Sequence, residues 1–432
     1  MAGRVQLATR GTQDVFFTDN PEYTYFIKNF KKHTNFAVYT VDHDVTGEIE
    51  FGSTLRCTIP QNTGDLMKTV RLHVKLGAID QPSDPFFVKG YAESIGHAMI
   101  EHVDINIGGK LVQRVTRDYM QIYSEHYITQ TKQVNLEKLI GKPPSELSGT
   151  PVQSFGILGY LGAAIEERTC IIDVPFYFHN NPSLAIPLCA IGKQECEIVV
   201  QLSPIDKCIY QSYINDGEEY EWSINVIKST QLGLIKSFTI QTELVALEEP
   251  ERIKYQEQST DFIITQVQSD TSYIPPGTSH IQKLEFKHPV KELYFIIQRT
   301  GSTVSTFDYD HDSQINGTKY INYEHLNNLQ IRLDENITLN EMTGNVIHLR
   351  AVQSGIHHSR TQLFRRFYSY SFALEPERWY PTGQINFGLV KDQYLNLSLN
   401  DYAGQRELRV YALSYNILRI EHGTARLLFG GD

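Results

Sequence analysis

Apolar and polar residues alternate along much of this chain with a period of two, the pattern of strands with one buried and one wetted face. From Val103 to Ile107 every second residue is apolar. Gly108 and Gly109 follow, and two glycines accept the positive φ of a tight two-residue turn. The sequence therefore predicts a hairpin whose second strand runs from Lys110 to Val115.

A short helix is predicted directly after this hairpin. Thr116 offers a side-chain oxygen to cap the helix, and Asp118 stands in the first turn, where a negative charge is favourable. Apolar and aromatic residues then recur at spacings of three and four along one stripe: Tyr119, Ile122, Tyr123, His126 and Tyr127. The unit is a hairpin with a helical excursion.

Strand patterns recur on both sides of this unit. Residues 1–34 read as an extended arm, and the convincing strand segments before residue 248 are Asn35–Val45, Leu66–Leu76, Cys170–Phe178, Glu195–Leu202 and Leu232–Leu247. In the last of these segments, the predicted inward face is Phe238, Ile240, Leu244 and Ala246. Prolines and glycines between Gln130 and Glu166 favour a long excursion over a regular element.

The charged, proline-broken segment Glu248–Glu251 and the polar helical stretch to Gln258 predict a boundary between two domains. A second series of strands follows at Phe262–Val267, His280–Phe286, Val290–Arg299, Leu329–Leu333, Phe367–Leu374, Gln384–Val390, Tyr394–Leu399 and Glu407–Ile420. We predict an arm over 1–34, a first domain over 35–249, a linker over 250–259 and a second domain over 260–432.

Each predicted domain holds about eight short strands with long loops. Eight antiparallel strands close into two packed sheets, which removes exposed edges. The predicted fold class is all-β, with two tandem eight-stranded antiparallel jelly rolls and short helices in the loop excursions.

The charge composition argues against one class of function, direct binding to nucleic acid. Of 432 residues, 39 are basic and 50 acidic, a formal net charge of −11 that disfavours direct binding to nucleic acid phosphates. One local exception is the basic run of Lys28, Lys31, Lys32 and His33. It is either a solvated turn or a tail that contacts a partner.

The five cysteines have no CxxC spacing and are an odd number, which favours free thiols in a reducing compartment. No signal peptide is visible, and the longest apolar tract, Phe155–Ile165, is shorter than the roughly 18 residues of a membrane span.

The sequence supports no active site, cofactor or metal. Neither GxxxxGK[ST] nor GxGxxG occurs. The adjacent pair His357 and His358 would point to opposite sides of an extended segment. Asp308, Asp310 and Asp312 resemble a calcium loop, but Ser313 stands where the loop needs Gly. A solvated loop is favoured over a weak cation site.

Three N-x-[ST] sequons mark candidate glycosylation sites, at Asn316, Asn336 and Asn396. Asn316 lies in a polar loop, and Asn396 lies on the polar face of a predicted strand. Without a secretory signal, unmodified turn and strand positions are the alternative.

Several of these segments together resemble the major capsid protein family of nucleocytoplasmic large DNA viruses, especially its phycodnavirus and iridovirus branch. The residues that carry the resemblance are Gln13–Val15, Thr34–Ala37, the double-glycine hairpin Val103–Arg114, Val174–Phe176 with Asn181 and Pro182, Ala185–Leu188, Tyr370–Leu374, Pro381–Gly383 and Tyr415–Ile420. Their order and spacing extend over nearly the whole chain.

This resemblance implies a non-enzymatic capsid protein whose homotrimers have pseudo-sixfold symmetry and tile an icosahedral virion shell. It implies assembly in the host cytoplasm, contacts with neighbouring capsomers and minor capsid proteins, and an internal viral membrane on the side of the N-terminal arm. The alternative from another class is a carbohydrate-binding or glycan-cleaving pair of jelly rolls, since one fold hosts unrelated functions.

Overall fold

The computed structural model describes residues 2–27, 31–80, 87–141, 166–179, 181–214, 220–221, 234–300, 306–307, 314–315, 318–319, 324–339, 342–360 and 367–430. Contacts between residues divide the chain into two units, Met1–Phe36 and Ala37–Asp432.

The first unit contains two short helices, α1 (Ala2–Ala8) and α2 (Thr12–Thr18). The prediction of an extended arm is therefore wrong over these residues. At the start of α2, the Asp14 carboxylate accepts a hydrogen bond of 2.9 Å from the Gly11 N–H, which satisfies a donor that the helix leaves unpaired. The sequence has no clear helical period here, and α2 forms with the help of this local cap.

The first half of the second unit is built from strands. They are β1 (Phe36–Asp44), β2 (Thr54–Ile59), β3 (Leu66–Leu76), β4 (Phe87–Tyr91), β5 (Ile100–Ile107), β6 (Lys110–Thr116), β7 (Arg168–Asp173), β8 (Ile186–Pro187), β9 (Cys196–Leu202), β10 (Ile209–Ile214), β11 (Tyr220–Glu221) and β12 (Ile235–Leu247). One sheet has the order β1-β12-β3-β7, with β8 beside β3, and a second has the order β2-β9-β5-β6. A third, β11-β10-β4, is smaller.

In the described part of this half, three α-helices occur: α3 (Ile95–Ala98), α4 (Arg117–His126) and α5 (Gln130–Ile140). α5 corrects the prediction that no regular element follows Gln130. Its end matches the rule for helix termini, because Gly141 has a φ of +73° that glycine adopts without strain. The rest of the predicted excursion, 142–165, lies outside the described residues.

The hairpin of β5 and β6 confirms the sequence prediction. Gly108 and Gly109 have φ values of +59° and +75°, as a type I′ turn requires. α4 begins where predicted, since the Thr116 hydroxyl accepts a hydrogen bond of 3.3 Å from the backbone N–H of Tyr119.

A polar helix, α6 (Glu249–Glu257), separates the two sets of sheets, and it buries none of its side chains. The second half contains β13 (Thr260–Ile274), β14 (Ser279–Lys283), β15 (Pro289–Arg299), β16 (Gln314–Ile315), β17 (Thr318–Lys319), β18 (Leu326–Leu333), β19 (Asn336–Ile337), β20 (Tyr368–Ser371), β21 (Ile385–Asn386), β22 (Gln393–Leu399), β23 (Arg406–Glu421) and β24 (Thr424–Leu427). A π-helical turn, His348–Val352, leads into α7 (Gln353–His357).

The main sheets of the second half have the orders β13-β23-β15-β20 and β14-β22-β18-β19. If the eight main strands of each half are numbered along the chain, both halves have sheets of order 1-8-3-6 and 2-7-4-5. The fold class is confirmed as two antiparallel eight-stranded jelly rolls with short helices in their connections. The domain bounds proposed from the sequence remain predictions.

Some buried residues and strand ends differ from those predicted from the sequence. Phe238, Ile240 and Leu244 on β12 are buried as predicted, but Ala246 is only half-buried. Beyond Leu244 the buried residues of β12 are Val245 and Leu247, which pack in a separate small cluster with Leu66 and Ala185. β7 ends at Asp173 rather than at Phe178, and β13 continues seven residues beyond the predicted Val267 to Ile274.

Candidate assembly interface

Strands β15 and β23, at the centre of the second-half sheet β13-β23-β15-β20, are buried on both faces along most of their length. Leu293 and Phe295 on β15 pack into the core of the second half. Tyr294 and Ile296, which point to the other side, pack into a cluster built mainly from the first half, and Leu413 on β23 joins them. The two halves of Ala37–Asp432 therefore share one continuous apolar contact.

Helix α4 of the first half lies against this sheet, and a buried ion pair joins the two. Arg409 donates from Nη1 to Oδ2 of Asp118 over 2.7 Å, and the Tyr411 hydroxyl donates to the same oxygen over 2.7 Å. All three side chains are buried. A second buried pair joins Arg360 to Glu125, with Nη1 3.3 Å from Oε2.

Next to these pairs, a second polar cluster lies at the end of α4. His358 Nε2 is 2.6 Å from Glu292 Oε1, and the two side chains are 0% and 1% exposed. The Tyr294 hydroxyl also donates to Glu292, over 2.9 Å. From the first half, the His126 ring lies 4.8 Å from the His358 ring between centroids, edge to face.

The electrostatics of this cluster follow from burial and from the carboxylates. Burial opposes a charged His358 ring, but Glu292 and Glu377 outweigh it and raise the pKa of His358 to about 9. Burial, followed by the charge on His358, lowers the pKa of His126 to about 4. Near neutral pH the cluster holds a charged His358, a charged Glu292 and a neutral His126.

Further hydrogen bonds join the halves away from α4. Gln266 Nε2 donates to the Val112 carbonyl over 2.6 Å, and Gln194 Oε1 accepts from the Ala425 N–H over 2.7 Å. These bonds hold edges of the second-half sheet against a strand and a turn of the first half. The arrangement favours a single rigid block over two hinged domains.

The corresponding sheet of the first half, β1-β12-β3-β7, presents an outer face rich in charge. Lys68 Nζ is 3.0 Å from Glu243 Oε1, Arg71 Nε is 2.7 Å from Asp173 Oδ1, and Lys75 Nζ is 2.7 Å from Glu167 Oε2. We call these residues, with Lys236, the first-half ionic face. Lys236 and Lys75 lower the pKa of Glu167 to about 2.

The second half exposes many large apolar side chains on two connections. These residues, which we call the second-half apolar surface, are one residue at the end of β19 and eight between β19 and β22: Ile337, Met342, Ile347, Val352, Ile356, Leu374, Trp379, Tyr380 and Leu389. A groove of about 420 Å³ is lined by Ile356 and Leu374 together with polar and charged residues, among them Glu375, Glu377 and Arg378. This stretch of the chain is therefore a candidate interaction surface.

The predicted glycosylation sites lie in different settings. Asn336 is exposed on β19, and Asn396 is half-buried on β22, where its Nδ2 donates to Gln330 Oε1 over 2.8 Å. Asn316 lies outside the described residues. The occupancy of all three sites stays a prediction.

The two predicted histidines are not in an extended segment. His357 ends α7, and His358 follows it with a buried side chain. The structure supplies carboxylate partners that sequence spacing did not reveal, Glu292 and Glu377. Among the described residues, no group of three or more His, Cys, Asp or Glu side chains is placed to hold a metal ion.

The remaining sequence predictions concern the calcium-like loop, the basic run, the cysteines and a membrane span. Asp308, Asp310, Asp312, Lys28 and Phe155–Ile165 lie outside the described residues, while Lys31, Lys32 and His33 are exposed. All five cysteines are free thiols. No helix within the described ranges has the length and apolar character that crossing a membrane requires.

Aromatic side chains are exposed along the first unit. Phe16, Phe17, Tyr25 and Phe26 are each more than four-fifths exposed within it, at 91%, 86%, 85% and 95%. Neither this feature nor the second-half apolar surface was predicted from the sequence, because a period of apolar residues shows that a side chain lies on one face but not what covers that face.

Comparison with known proteins covers nearly the whole chain. Residues 24–235 match the family described as "Major capsid protein N-terminus", and residues 251–426 match "Large eukaryotic DNA virus major capsid protein". The chain is 26% identical to the major capsid protein of Pyramimonas orientalis virus over 99% of both chains. It is 22% identical to that of Paramecium bursaria Chlorella virus 1, over 99% of this chain and 100% of the relative.

Solved structures show the same fold. The PBCV-1 virus capsid, in a quasi-atomic model, matches with a TM-score of 0.74 and 18% identity over 94% of this chain and 100% of that chain. The Faustovirus major capsid protein matches with a TM-score of 0.70 and 13% identity over 97% and 96%.

Proposed function

The chain belongs to the major capsid protein family of large eukaryotic DNA viruses, and from this premise we propose that three copies associate into a pseudo-hexagonal capsomer. As a major capsid protein it is a component of the virion shell. The proposed role is architectural and includes no catalytic step.

One observation carries the trimer proposal: two halves with the same strand order are locked into one block. Three such blocks around a threefold axis place six similar rolls in a ring, which gives nearly hexagonal units that pack side by side. Residues 35–249 and 260–432 are the proposed rolls, joined by 250–259. A closed threefold ring needs two different, complementary surfaces on each copy.

The experiment is the solution mass of the purified chain by light scattering over a wide concentration range. We expect a species of three chains that persists on dilution, because interfaces within an obligate oligomer are large. A mass of 49.5 kDa at every concentration would contradict the capsomer proposal.

We also propose weaker contacts beyond the capsomer, to neighbouring capsomers and to minor capsid proteins, with assembly in the host cytoplasm. The exposed aromatic side chains of the first unit support a contact on the inner side of the shell, with the internal viral membrane as the proposed partner. Long loops would then project outward.

The membrane contact can be tested by flotation with vesicles of phosphatidylcholine and phosphatidylserine. The wild-type chain is expected to float with the vesicles and the F16S/F17S variant to stay behind, since both rings are exposed. Equal flotation of the two would contradict the arm's role.

A further inference from the structure

The turn that follows β20 is fastened to the body of the second half by charged groups. We call residues 374–380 the β20 turn, and its tip is formed by Pro376 and Glu377. Lys291 on β15 donates from Nζ to the Pro376 carbonyl over 2.7 Å, and both residues are buried. His358 Nδ1 lies 3.5 Å from Glu377 Oε1, and the Glu377 side chain is 27% exposed. Two cationic side chains thus face the tip of the turn.

His358 lies between two carboxylates, one on a strand and one on the turn. Its Nε2 is 2.6 Å from Glu292 Oε1, and Glu292 also accepts from the Tyr294 hydroxyl over 2.9 Å. Its Nδ1 faces Glu377. A charged imidazolium has two N–H donors, whereas a neutral imidazole has one donor and one lone pair. Only the charged ring can therefore hold both carboxylates at once.

Loss of the proton should break the contact with the turn rather than the contact with the strand. Glu292 is paired with Ser371 and Leu413 in the two neighbouring strands, so it is fixed in the sheet. The remaining proton should stay on Nε2, at the shorter of the two contacts. The Nδ1 lone pair then faces the Glu377 carboxylate and repels it, so Glu377 is the residue that moves.

The other polar groups around the turn do not replace the imidazolium. Glu377 accepts from the Ser359 N–H over 2.7 Å and from the Ser359 hydroxyl, but both donors are neutral and Ser359 is itself exposed. His357 Nδ1 is 3.2 Å from a backbone carbonyl at the base of the turn. Within the turn, Arg378 pairs with Glu375.

On its other side, the His358 ring faces rings that carry no charge at neutral pH. His126 and Tyr127 on α4 lie 4.8 Å and 5.3 Å from it between centroids. Burial holds the pKa of His126 at about 4 and raises the pKa of Tyr127. Lys291 Nζ lies 5.5 Å from the centroid of the Tyr415 ring. The charges at the tip of the turn are therefore those of the two cations and the two carboxylates.

The pKa values place the loss of the cations on the alkaline side. Burial lowers the pKa of Lys291 to about 8. Burial also opposes the charge of His358, but the two carboxylates outweigh it and raise the pKa of His358 to about 9. Burial opposes the charge of Glu377 as well, yet hydrogen bonds from His358 and Ser359 lower the pKa of Glu377 below its ordinary value. All these charges are present at neutral pH.

We propose that the β20 turn is a proton-controlled latch, held against β15 while His358 is charged and released when His358 is neutral. The turn carries Leu374, Trp379 and Tyr380 of the second-half apolar surface. The protonation of one buried histidine thus decides how this candidate interaction surface is presented. We expect the surface to keep its shape through neutral and mildly acidic pH and to lose it in alkali.

The test uses Trp379 as a probe of the turn. The chain has two tryptophans, Trp222 and Trp379, and the W222F variant keeps only the second. Trp222 lies outside the described residues. Acrylamide quenching of Trp379 fluorescence is measured from neutral pH to about pH 10. We expect the quenching constant to rise by up to about twofold with a midpoint near pH 9, since Trp379 is 49% exposed in the closed turn.

Two variants in the W222F background separate the latch from the other contacts of the turn. E377A removes the carboxylate that His358 holds and leaves the buried pair with Glu292 intact. Its quenching constant should equal the alkaline value already at neutral pH and stay constant on the alkaline side. E375A is the matched control, because Glu375 is on the same turn and pairs with Arg378 rather than with His358. It should keep the profile of W222F.

Circular dichroism at each pH shows whether the fold persists. A quenching constant of W222F that stays flat to about pH 10 would overturn the latch, and so would an unchanged profile in E377A. A rise that coincides with the loss of the dichroism signal, or an equal effect of E375A and E377A, would also overturn it. If W222F does not fold, trypsin cleavage after Arg378 in the wild-type background supplies the same comparison.

Discussion

His358 and Glu292 form an ion pair of 2.6 Å whose side chains are almost completely inaccessible to water. The pair lies where helix α4 of the first half meets the second half, with the His126 ring against His358. A buried pair of this kind makes the junction sensitive to the protonation of each partner.

Stability should therefore depend on pH in two limbs. The pKa of His358 is raised to about 9, so the stability it contributes is full below its ordinary pKa of 6.5 and is lost as the pH rises through 9. The pKa of His126 is lowered to about 4, so stability falls as the pH drops from 6.5 to 4. Thermal unfolding should show a maximum near pH 6.5, with the alkaline limb amounting to about 3 kcal/mol at most.

The paired variant E292Q/H358Q is the control for the alkaline limb, because two neutral amides of similar size replace the pair. It should flatten stability between pH 6.5 and 9 while leaving the acid limb of His126. An alkaline limb of unchanged size in this variant would show that another group causes it.

Asp118 should contribute strongly to the junction. D118A removes the acceptor of both Arg409 and Tyr411 and leaves a buried guanidinium without that carboxylate. We expect the free energy of unfolding to fall by about 3 to 5 kcal/mol. Y411F removes one hydrogen bond to the same oxygen and should cost about 1.5 to 3 kcal/mol. Urea unfolding measures both, and a loss below about 1 kcal/mol for D118A would contradict the role given to this pair.

Alanine substitutions at the two glycines of the β5–β6 turn should destabilise the protein to different extents. G109A places a Cβ in open space at a φ of +75°, so it should cost about 1 kcal/mol from backbone strain alone. G108A has a similar φ, but its Cβ would lie 2.5 Å from Gln194 Nε2. Gln194 also accepts from the Ala425 N–H, so G108A should lower the melting temperature more than G109A. Equal melting temperatures would contradict this contact.

Asn396 should be unglycosylated in virions. Its amide nitrogen, the atom that a glycan would occupy, donates to Gln330 from a half-buried position on a paired strand. Peptide mass spectrometry of purified capsid protein should find this peptide at its unmodified mass. The exposed Asn336 is the internal comparison, and a glycan on Asn396 would contradict the prediction.

Local patterns in the sequence correctly predicted the elements whose structure depends on neighbouring residues. The run Leu66–Leu76 predicted β3 to the residue, and Gly108, Gly109 and Thr116 predicted the turn and the start of α4, because φ preferences and capping depend on immediate neighbours. Alternation of apolar residues with turns gave the all-β class and two sets of strands. Motif order gave the family.

Tertiary structure alone decided how those elements meet. Asp118 and Arg409 are 291 residues apart, and nothing near either one indicates the other. The change of buried face at Val245 depends on contacts with Leu66 and Ala185, and the ring that packs on His358 depends on the placement of α4. The sequence determined which faces are apolar through periodicity. Which of those faces the chain covers itself, and which it leaves exposed, depends on the association of distant segments, because burial is a property of the folded surfaces rather than of the pattern along the chain.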